Sequence, residues 1–148
     1  VEAGNPRLKL NRYETPYVNP TPGLVIASAN RMKGTAVLLD RDQAQAIARQ
    51  IEESARFRRW SLLAGFIMAN HAHVVVGVPG DPAPSKLLQI LKSYASRALN
   101  ERWQRPESGT WWTSSGSTRK LADDEAIAAA VRYVREQEYV LARCEAVT

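Results

Sequence analysis

The sequence MANHAHVVVGV, residues 68–78, contains both histidines of the 148-residue chain and continues directly into a run of valines. Side chains alternate between the two faces of a β-strand, so His71 and His73 are predicted to share one face, about 6.6 Å apart along the backbone. Two imidazoles at this spacing can bind one cation. The alternative is a pair of ordinary histidines near a strand edge, each bonded to a backbone carbonyl. The apolar surroundings favour a site, because uncompensated imidazoles are costly to bury.

The flanking residues predict alternating strands and helices. Predicted strands cover residues 24–32, 61–68, 71–78 and 110–120, and predicted helices follow Asp40, follow Ser85 and lie within 122–139. Asp40 and Gln43 have the spacing of a capping box, and Ser85 is predicted to cap the second helix. A turn at Ala69 and Asn70 makes the second and third strands antiparallel. The pattern predicts an α+β fold, an antiparallel sheet with helices packed largely on one face.

Composition limits the possible classes of protein. Residues 1–23 are rich in Asn, Pro and Gly and are predicted to form an extended N-terminal arm, with residues 24–148 as a single domain. The net charge of +5 is a weak indication of a nucleic-acid partner. A lone cysteine, Cys144, excludes a disulfide framework and favours a cytoplasmic location. No apolar run of about 18 residues predicts a membrane span, and no signal peptide is expected.

The predicted final helix contains a tyrosine and a glutamine four residues apart. In AAAVRYVREQEY, residues 128–139, Tyr133 and Gln137 are therefore expected on one helix face, at the border of its apolar stripe. Taken alone, this is the pattern of a tyrosine at the edge of a core beside a solvated glutamine. Combined with His71 and His73, it indicates two imidazoles and a carboxamide oxygen that could hold a divalent ion beside a phenol.

These motifs resemble those of the single-tyrosine HUH transposases, which include the REP-associated tyrosine transposases of bacteria. The family has His, a hydrophobic residue and His on a central strand, commonly after Met-Pro-Asn, and residues 68–73 read MANHAH. It also has a late-helix tyrosine with a metal-binding residue four positions on, as in YVREQ at 133–137, and a Lys-Ser-Tyr segment similar to LKSYASRALN at 91–100. Ala69 replaces the usual proline, and Ala72 is smaller than the usual middle residue. The resemblance covers residues 24–140.

The resemblance implies a fold, an activity and a cofactor. The fold is an antiparallel sheet sandwiched with helices, the ferredoxin- or RRM-like palm of HUH nucleases. The activity is metal-dependent cleavage and rejoining of single-stranded or hairpin DNA, in which Tyr133 forms a 5′-phosphotyrosyl intermediate. His71, His73 and Gln137 would bind one divalent metal ion, Mg²⁺ or Mn²⁺. Relatives of this kind occur as a monomer or a homodimer.

Three segments combine cations with aromatic rings, as single-stranded DNA binding requires. They are RFRRW (56–60), KSYASR (92–97) and WWTSSGSTRK (111–120). The residues predicted to contact DNA are Arg58, Arg59, Lys92, Arg97, Trp112, Arg119 and Lys120. For Trp60, Trp103 and one of Trp111 and Trp112, core packing is the alternative.

Competing interpretations concern the nucleophile and the class of protein. Tyr94 is the rival tyrosine, but it lies in an apolar helical register and is predicted to pack in the core. A histidine-triad nucleotide hydrolase would need a third alternating histidine, and position 75 is valine. The remaining alternative is a catalytically degenerate, domesticated DNA- or RNA-binding protein, which needs neither Tyr133 nor a metal.

Overall fold

The computed structural model describes residues 23–32 and 38–148, and the elements in these ranges follow the predicted alternation. The strands are β1 (Gly23–Met32), β2 (Ser61–Ile67), β3 (His71–Pro79), β4 (Trp112–Lys120) and β5 (Ala142–Arg143), and the helices are α1 (Arg41–Arg58), α2 (Pro84–Arg102) and α3 (Asp124–Arg135). The predicted arm at 1–23 lies outside the described residues except for Gly23, where β1 begins. None of the helices in these ranges is long and apolar enough to cross a membrane.

The described strands form one sheet with the order β4-β1-β3-β2-β5, and every neighbouring pair is antiparallel. The first four strands and the first two helices follow the βαββαβ order of ferredoxin-like folds. This confirms the predicted fold class. The hairpin between β2 and β3 is closed as expected, with the Met68 N–H donating to the His71 carbonyl at 2.8 Å. The histidines thus begin the central strand.

Helices cover both faces of this sheet. On one face, Ala72, Val74 and Val76 of β3 pack in a core with α1 and α2. On the other face, Val75 packs with Leu63, Phe66 and the apolar residues of α3. The sandwich is therefore confirmed, with two helices on one face and the third on the face that His71 and His73 share.

The ends of the first two helices show how local sequence sets their boundaries. Asp40 is the N-cap of α1: its Oδ1 accepts from the Gln43 N–H at 2.7 Å, and Gln43 Oε1 accepts from the Asp40 N–H at 2.9 Å. The predicted capping box is confirmed. The predicted cap at Ser85 is wrong, because α2 begins at Pro84 and its N-cap, Ala83, makes no side-chain bond. Proline suits the first helical position, where no N–H donor is needed.

The last helix is shorter than the sequence indicated. Helix α3 ends at Arg135 with Glu136 as C-cap, so Gln137 lies beyond the helix and not on its face. Tyr139 has a left-handed φ of 63°, which turns the chain away from the helical path. The chain then returns to the sheet as β5, which pairs with β2 and was not predicted.

Candidate active site

The two histidine rings rest on one buried aromatic side chain. Phe66 of β2 pairs with His73 across the strands and is 1% exposed. Its ring centroid lies 5.5 Å from that of His71, edge to face, and 5.6 Å from that of His73. Because Phe66 is fixed in the core beneath α3, it limits the orientations that both imidazoles can adopt.

Neighbouring groups set the protonation of the two imidazoles. Asn70 Oδ1 lies 2.8 Å from His71 Nδ1, and since this oxygen can only accept, Nδ1 carries the proton and Nε2 keeps its lone pair in the neutral ring. Desolvation by burial, and then the charge of nearby His71, lower the pKa of His73 from 6.5 to about 4. His73 is therefore neutral at pH 7. Neutral imidazoles are the form that binds metal ions.

Tyr133 of α3 lies next to this pair. Its ring centroid is 5.6 Å from that of His73, and its side chain is 49% exposed. The flanking residues Ala130 and Val134 are buried against the sheet and hold this stretch of helix in place. The phenol thus stands at the boundary between the histidines and solvent, where a polymer substrate can reach it.

Gln137 lies in the turn after α3 and is bonded to the backbone of the helix end that carries Tyr133. Its Nε2 donates to the Tyr133 carbonyl at 3.2 Å, and its N–H donates to the Val134 carbonyl at 3.4 Å. The amide oxygen is the atom that would coordinate a metal. Within the described residues no three His, Cys, Asp or Glu side chains could hold a metal ion together.

Two of the residues predicted to contact DNA have structural partners instead. Lys92 Nζ donates to the Thr113 carbonyl at 2.8 Å, which ties α2 to β4, and burial lowers the pKa of Lys92. Trp112 is 7% exposed and packs in the core with α1 and α2. Its ring has no face on which a base could stack in this arrangement, because its β-strand register turns it inward.

The prediction that Tyr94 packs in the core is wrong. Its half-buried ring lies between two guanidinium groups, those of Arg58 at 5.6 Å and Arg97 at 4.9 Å. A hydrogen bond from Arg58, the charge of Arg58 and then Arg97 lower the pKa of Tyr94. Arginine is attracted to ring faces and remains hydrated outside the core, so the cluster forms at the surface. Helix α2 covers the sheet face opposite the histidines, so Tyr94 is separated from them by the sheet.

The remaining predicted DNA contacts fall in two regions. Arg58, Arg59 and Arg97 belong to the α1–α2 surface. Arg119 of β4 pairs with Ala27 of β1, and Ala27 pairs with Val75 of β3. Paired residues point to the same face of a sheet, so Arg119 shares the face of Val75 and of the histidines. Burial lowers the pKa of Arg119 to about 10, which leaves it charged at pH 7. The next residue, Lys120, is on the other face and lies 3.8 Å from Asp81 in an exposed ion pair.

Sequence reasoning missed three residues that shape the site, Phe66, Asn70 and Arg143. Asn70 adjoins His71, so its ability to bond the ring could have been inferred from the sequence. Phe66 and Arg143 become neighbours of the site only through the pairing of β2 with β3 and β5, for which the sequence carries no local signal.

The sequence and the fold were compared with those of known proteins. The sequence model of the family described as "Transposase IS200 like" matches residues 24–137. A REP-associated tyrosine transposase bound to a REP hairpin has 17% identity and a TM-score of 0.60 over 84% of this chain and 70% of that chain. A candidate transposase from Deinococcus radiodurans R1 has 16% identity and a TM-score of 0.58 over 86% of this chain and 98% of that chain. No curated protein sequence matches this chain.

Proposed function

Since the chain belongs to the IS200-like transposase family, we propose that it cleaves and rejoins single-stranded DNA with Tyr133 as the nucleophile. The observation that carries this proposal is the position of the Tyr133 ring, 5.6 Å from that of His73. A half-exposed phenol beside two imidazoles, of which His73 is neutral at pH 7, suits attack on a phosphodiester that arrives from solvent.

The reaction requires one bond to form as another breaks. Tyr133 Oη attacks the scissile phosphorus, and the bond from phosphorus to the 3′ oxygen breaks. The phenol proton is lost and the departing 3′ oxygen gains one, so the products are a 5′-phosphotyrosyl enzyme and a free 3′-hydroxyl. Attack of a 3′-hydroxyl on the phosphotyrosine reverses the step and joins strands.

The residues present fit a divalent ion. His71 Nε2, a ring nitrogen of His73 and the Gln137 amide oxygen would hold Mg²⁺ or Mn²⁺, and imidazole ligands favour Mn²⁺. When bound, such an ion polarises and orients the scissile phosphate. Phe66 and Asn70 orient the imidazoles, and the hydrogen bond from the Gln137 side-chain Nε2 to the Tyr133 carbonyl keeps ligand and nucleophile together.

The proposed substrate is single-stranded or hairpin DNA. The REP-associated tyrosine transposase with this fold was solved with a REP hairpin, which supports a DNA partner here. Arg119 would contact phosphates on the sheet face that it shares with the histidines. Arg58, Arg59 and Arg97 are on the opposite side of the sheet and would contact a more distant part of the DNA. Such contacts make the affinity fall with salt, because bound phosphates release counterions.

The test is formation of a covalent adduct with hairpin DNA in Mn²⁺. The label belongs at the 3′ end, because the 5′-phosphate side of the cut remains on the protein. We expect an adduct on a denaturing gel from the parent protein and from the Tyr94→Phe control, and none from Tyr133→Phe. DNA affinity should stay within about twofold in Tyr133→Phe, since the ring and its packing remain.

Two outcomes would contradict the proposal. Adduct formation by Tyr133→Phe together with its loss in Tyr94→Phe would mean that the wrong tyrosine is named. Salt-sensitive DNA binding by the parent without an adduct, in Mg²⁺ or Mn²⁺, would favour the domesticated binding protein.

A further inference from the structure

The C-terminal segment, residues 140–147, is fastened to the sheet along its length. The N–H groups of Leu141, Cys144 and Val147 donate to the carbonyls of Ile67, Gly65 and Leu62 of β2 at 2.9, 3.0 and 2.9 Å. Helix α1 holds the same segment from the other side: the buried carboxylate of Glu52 accepts from the Glu145 N–H at 2.7 Å, and Arg49 donates to the Arg143 carbonyl at 3.4 Å. The backbone of Arg143 therefore has a fixed position at the sheet edge.

From this position the Arg143 side chain reaches the end of α3. Its Nη1 donates to the Val134 carbonyl at 3.1 Å, and its Nη2 donates to the Gln137 carbonyl. Val134 lies in the last turn of α3, where the helix carbonyls carry partial negative charge, so a guanidinium is well suited to this end of the helix. Its rigid fork bonds both carbonyls at once. The two carbonyls enclose the turn that follows Tyr133 and contains Gln137.

Arg143 and Phe66 are direct partners in the pairing of β5 with β2. Phe66 contacts both imidazole rings, and Arg143 bonds the turn that bears Gln137. One cross-strand pair thus connects the two halves of the site. Apolar packing of α3 on the sheet is non-directional, whereas the two hydrogen bonds from Arg143 specify where the end of the helix lies.

We infer that Arg143 is a positioning residue, which sets Tyr133 and Gln137 in register with His71 and His73; its catalytic consequence rests on the proposed function. A misplacement of about 1 Å can reduce a rate by about 100-fold. Loss of Arg143 therefore slows the covalent step more than it weakens DNA binding.

The test compares Arg143→Gln with the matched control Arg135→Gln. Arg135 is exposed, lies in the last turn of α3 and loses the same charge. In single-turnover reactions with saturating hairpin DNA and Mn²⁺, we expect adduct formation by Arg143→Gln to be roughly 10- to 100-fold slower. DNA affinity should match that of the control, and Arg143→Lys, which can donate to these carbonyls, should recover part of the rate.

A second readout does not depend on activity. In the protein without metal or DNA, the amides of Glu136 and Gln137 donate to the carbonyls of Arg132 and Val134. In Arg143→Gln these amides should exchange with deuterium roughly 2- to 10-fold faster, the factor that one lost hydrogen bond represents. Exchange in β2 and β3 should be unchanged.

The adduct rate and the amide exchange each support or overturn the inference about Arg143. An unchanged adduct rate, or unchanged exchange at Glu136 and Gln137, would overturn it, and so would faster exchange throughout the sheet, which indicates general destabilisation. If the parent protein forms no adduct, the proposed function fails, and the exchange result alone decides whether Arg143 orders this turn.

Discussion

His71 and His73 differ in what holds their rings. His71 has a polar partner in Asn70, which selects the ring nitrogen that stays unprotonated. Burial, and then the charge of His71, keep His73 uncharged at pH 7 by lowering its pKa to about 4. A hydrogen bond thus selects the tautomer of one ring, and burial sets the protonation state of the other.

Burial acts in the opposite direction on Cys144. Desolvation, and then the nearby Glu52 carboxylate, raise the pKa of the thiol from 9.0 to about 12. Thiolate is the reactive form, so we expect iodoacetamide at pH 8 to label the native protein slowly and the urea-unfolded chain rapidly. Because Cys144 is the only cysteine, the mass increase of the intact protein reports this site alone.

The same shift affects stability at high pH. As the pH rises through 9, the unfolded chain loses the thiol proton while the native protein keeps it. The unfolding free energy should therefore fall with increasing pH in this range. In Cys144→Ala this decrease in the unfolding free energy above pH 9 should be absent. Equal rates of iodoacetamide labelling in the native and the unfolded protein would contradict the raised pKa of the Cys144 thiol.

The sequence of strand β2 is suited to a position that is covered on both faces. All seven of its residues, SLLAGFI, are buried, because helices cover both faces of the sheet. A continuous apolar run is typical of strands in this position. The C-terminal segment runs beside Gly65, and a Cβ at this position would be 2.9 Å from Cys144 Sγ and 3.2 Å from Val74 Cγ1.

We expect Gly65→Ala to destabilise the protein by about 1–3 kcal/mol, the usual cost of overpacking a core. In the double variant Gly65→Ala/Cys144→Ala the loss should be smaller than the sum of the two single losses, because the closest contact is with the sulfur. Urea unfolding of the parent, both single variants and the double variant measures this difference. If the losses of unfolding free energy are additive, the Cys144 sulfur is not the contact that makes Gly65→Ala destabilising.

At the scale of the whole molecule, one chain brings together Tyr133 and the histidines that the proposed reaction uses. Tyr133 meets His73 of the same chain at 5.6 Å, and the C-terminal segment fastens the end of α3 to the same sheet. The arrangement favours catalysis within a single chain, whether the protein is a monomer or a homodimer.

This arrangement makes a prediction about mixtures of inactive variants. Tyr133→Phe and His73→Ala proteins, co-expressed or mixed and refolded, should form no adduct with hairpin DNA, because no chain contains both intact groups. Exchange of α3 between two chains would instead create one site with a tyrosine and both histidines. Adduct formation by the mixture would therefore show that the site is shared between chains.

The strands, the helices and the paired histidines could be predicted from the sequence because they depend on local features. Two histidines followed by a run of valines mark β3, and the Asp40 capping box marks the start of α1. The order of these elements was enough to expect an antiparallel α+β sheet. The resemblance to a transposase family, carried by short motifs at 68–73 and 133–137, is confirmed by the family match.

Other features depend on contacts between segments far apart in the chain, to which local periodicity is insensitive. Gln137 lies beyond α3, where Arg143 of strand β5 bonds the carbonyl of Val134 in the last turn of the helix and the carbonyl of Gln137 in the turn that follows. Tyr94 is half-buried between arginines of two helices and lies outside the core, although its register resembles that of a core residue. Trp112 is turned inward by strand pairing, although it lies among polar and basic residues. In each case the decisive free energy comes from tertiary packing and hydrogen bonds, which residues adjacent in sequence do not specify.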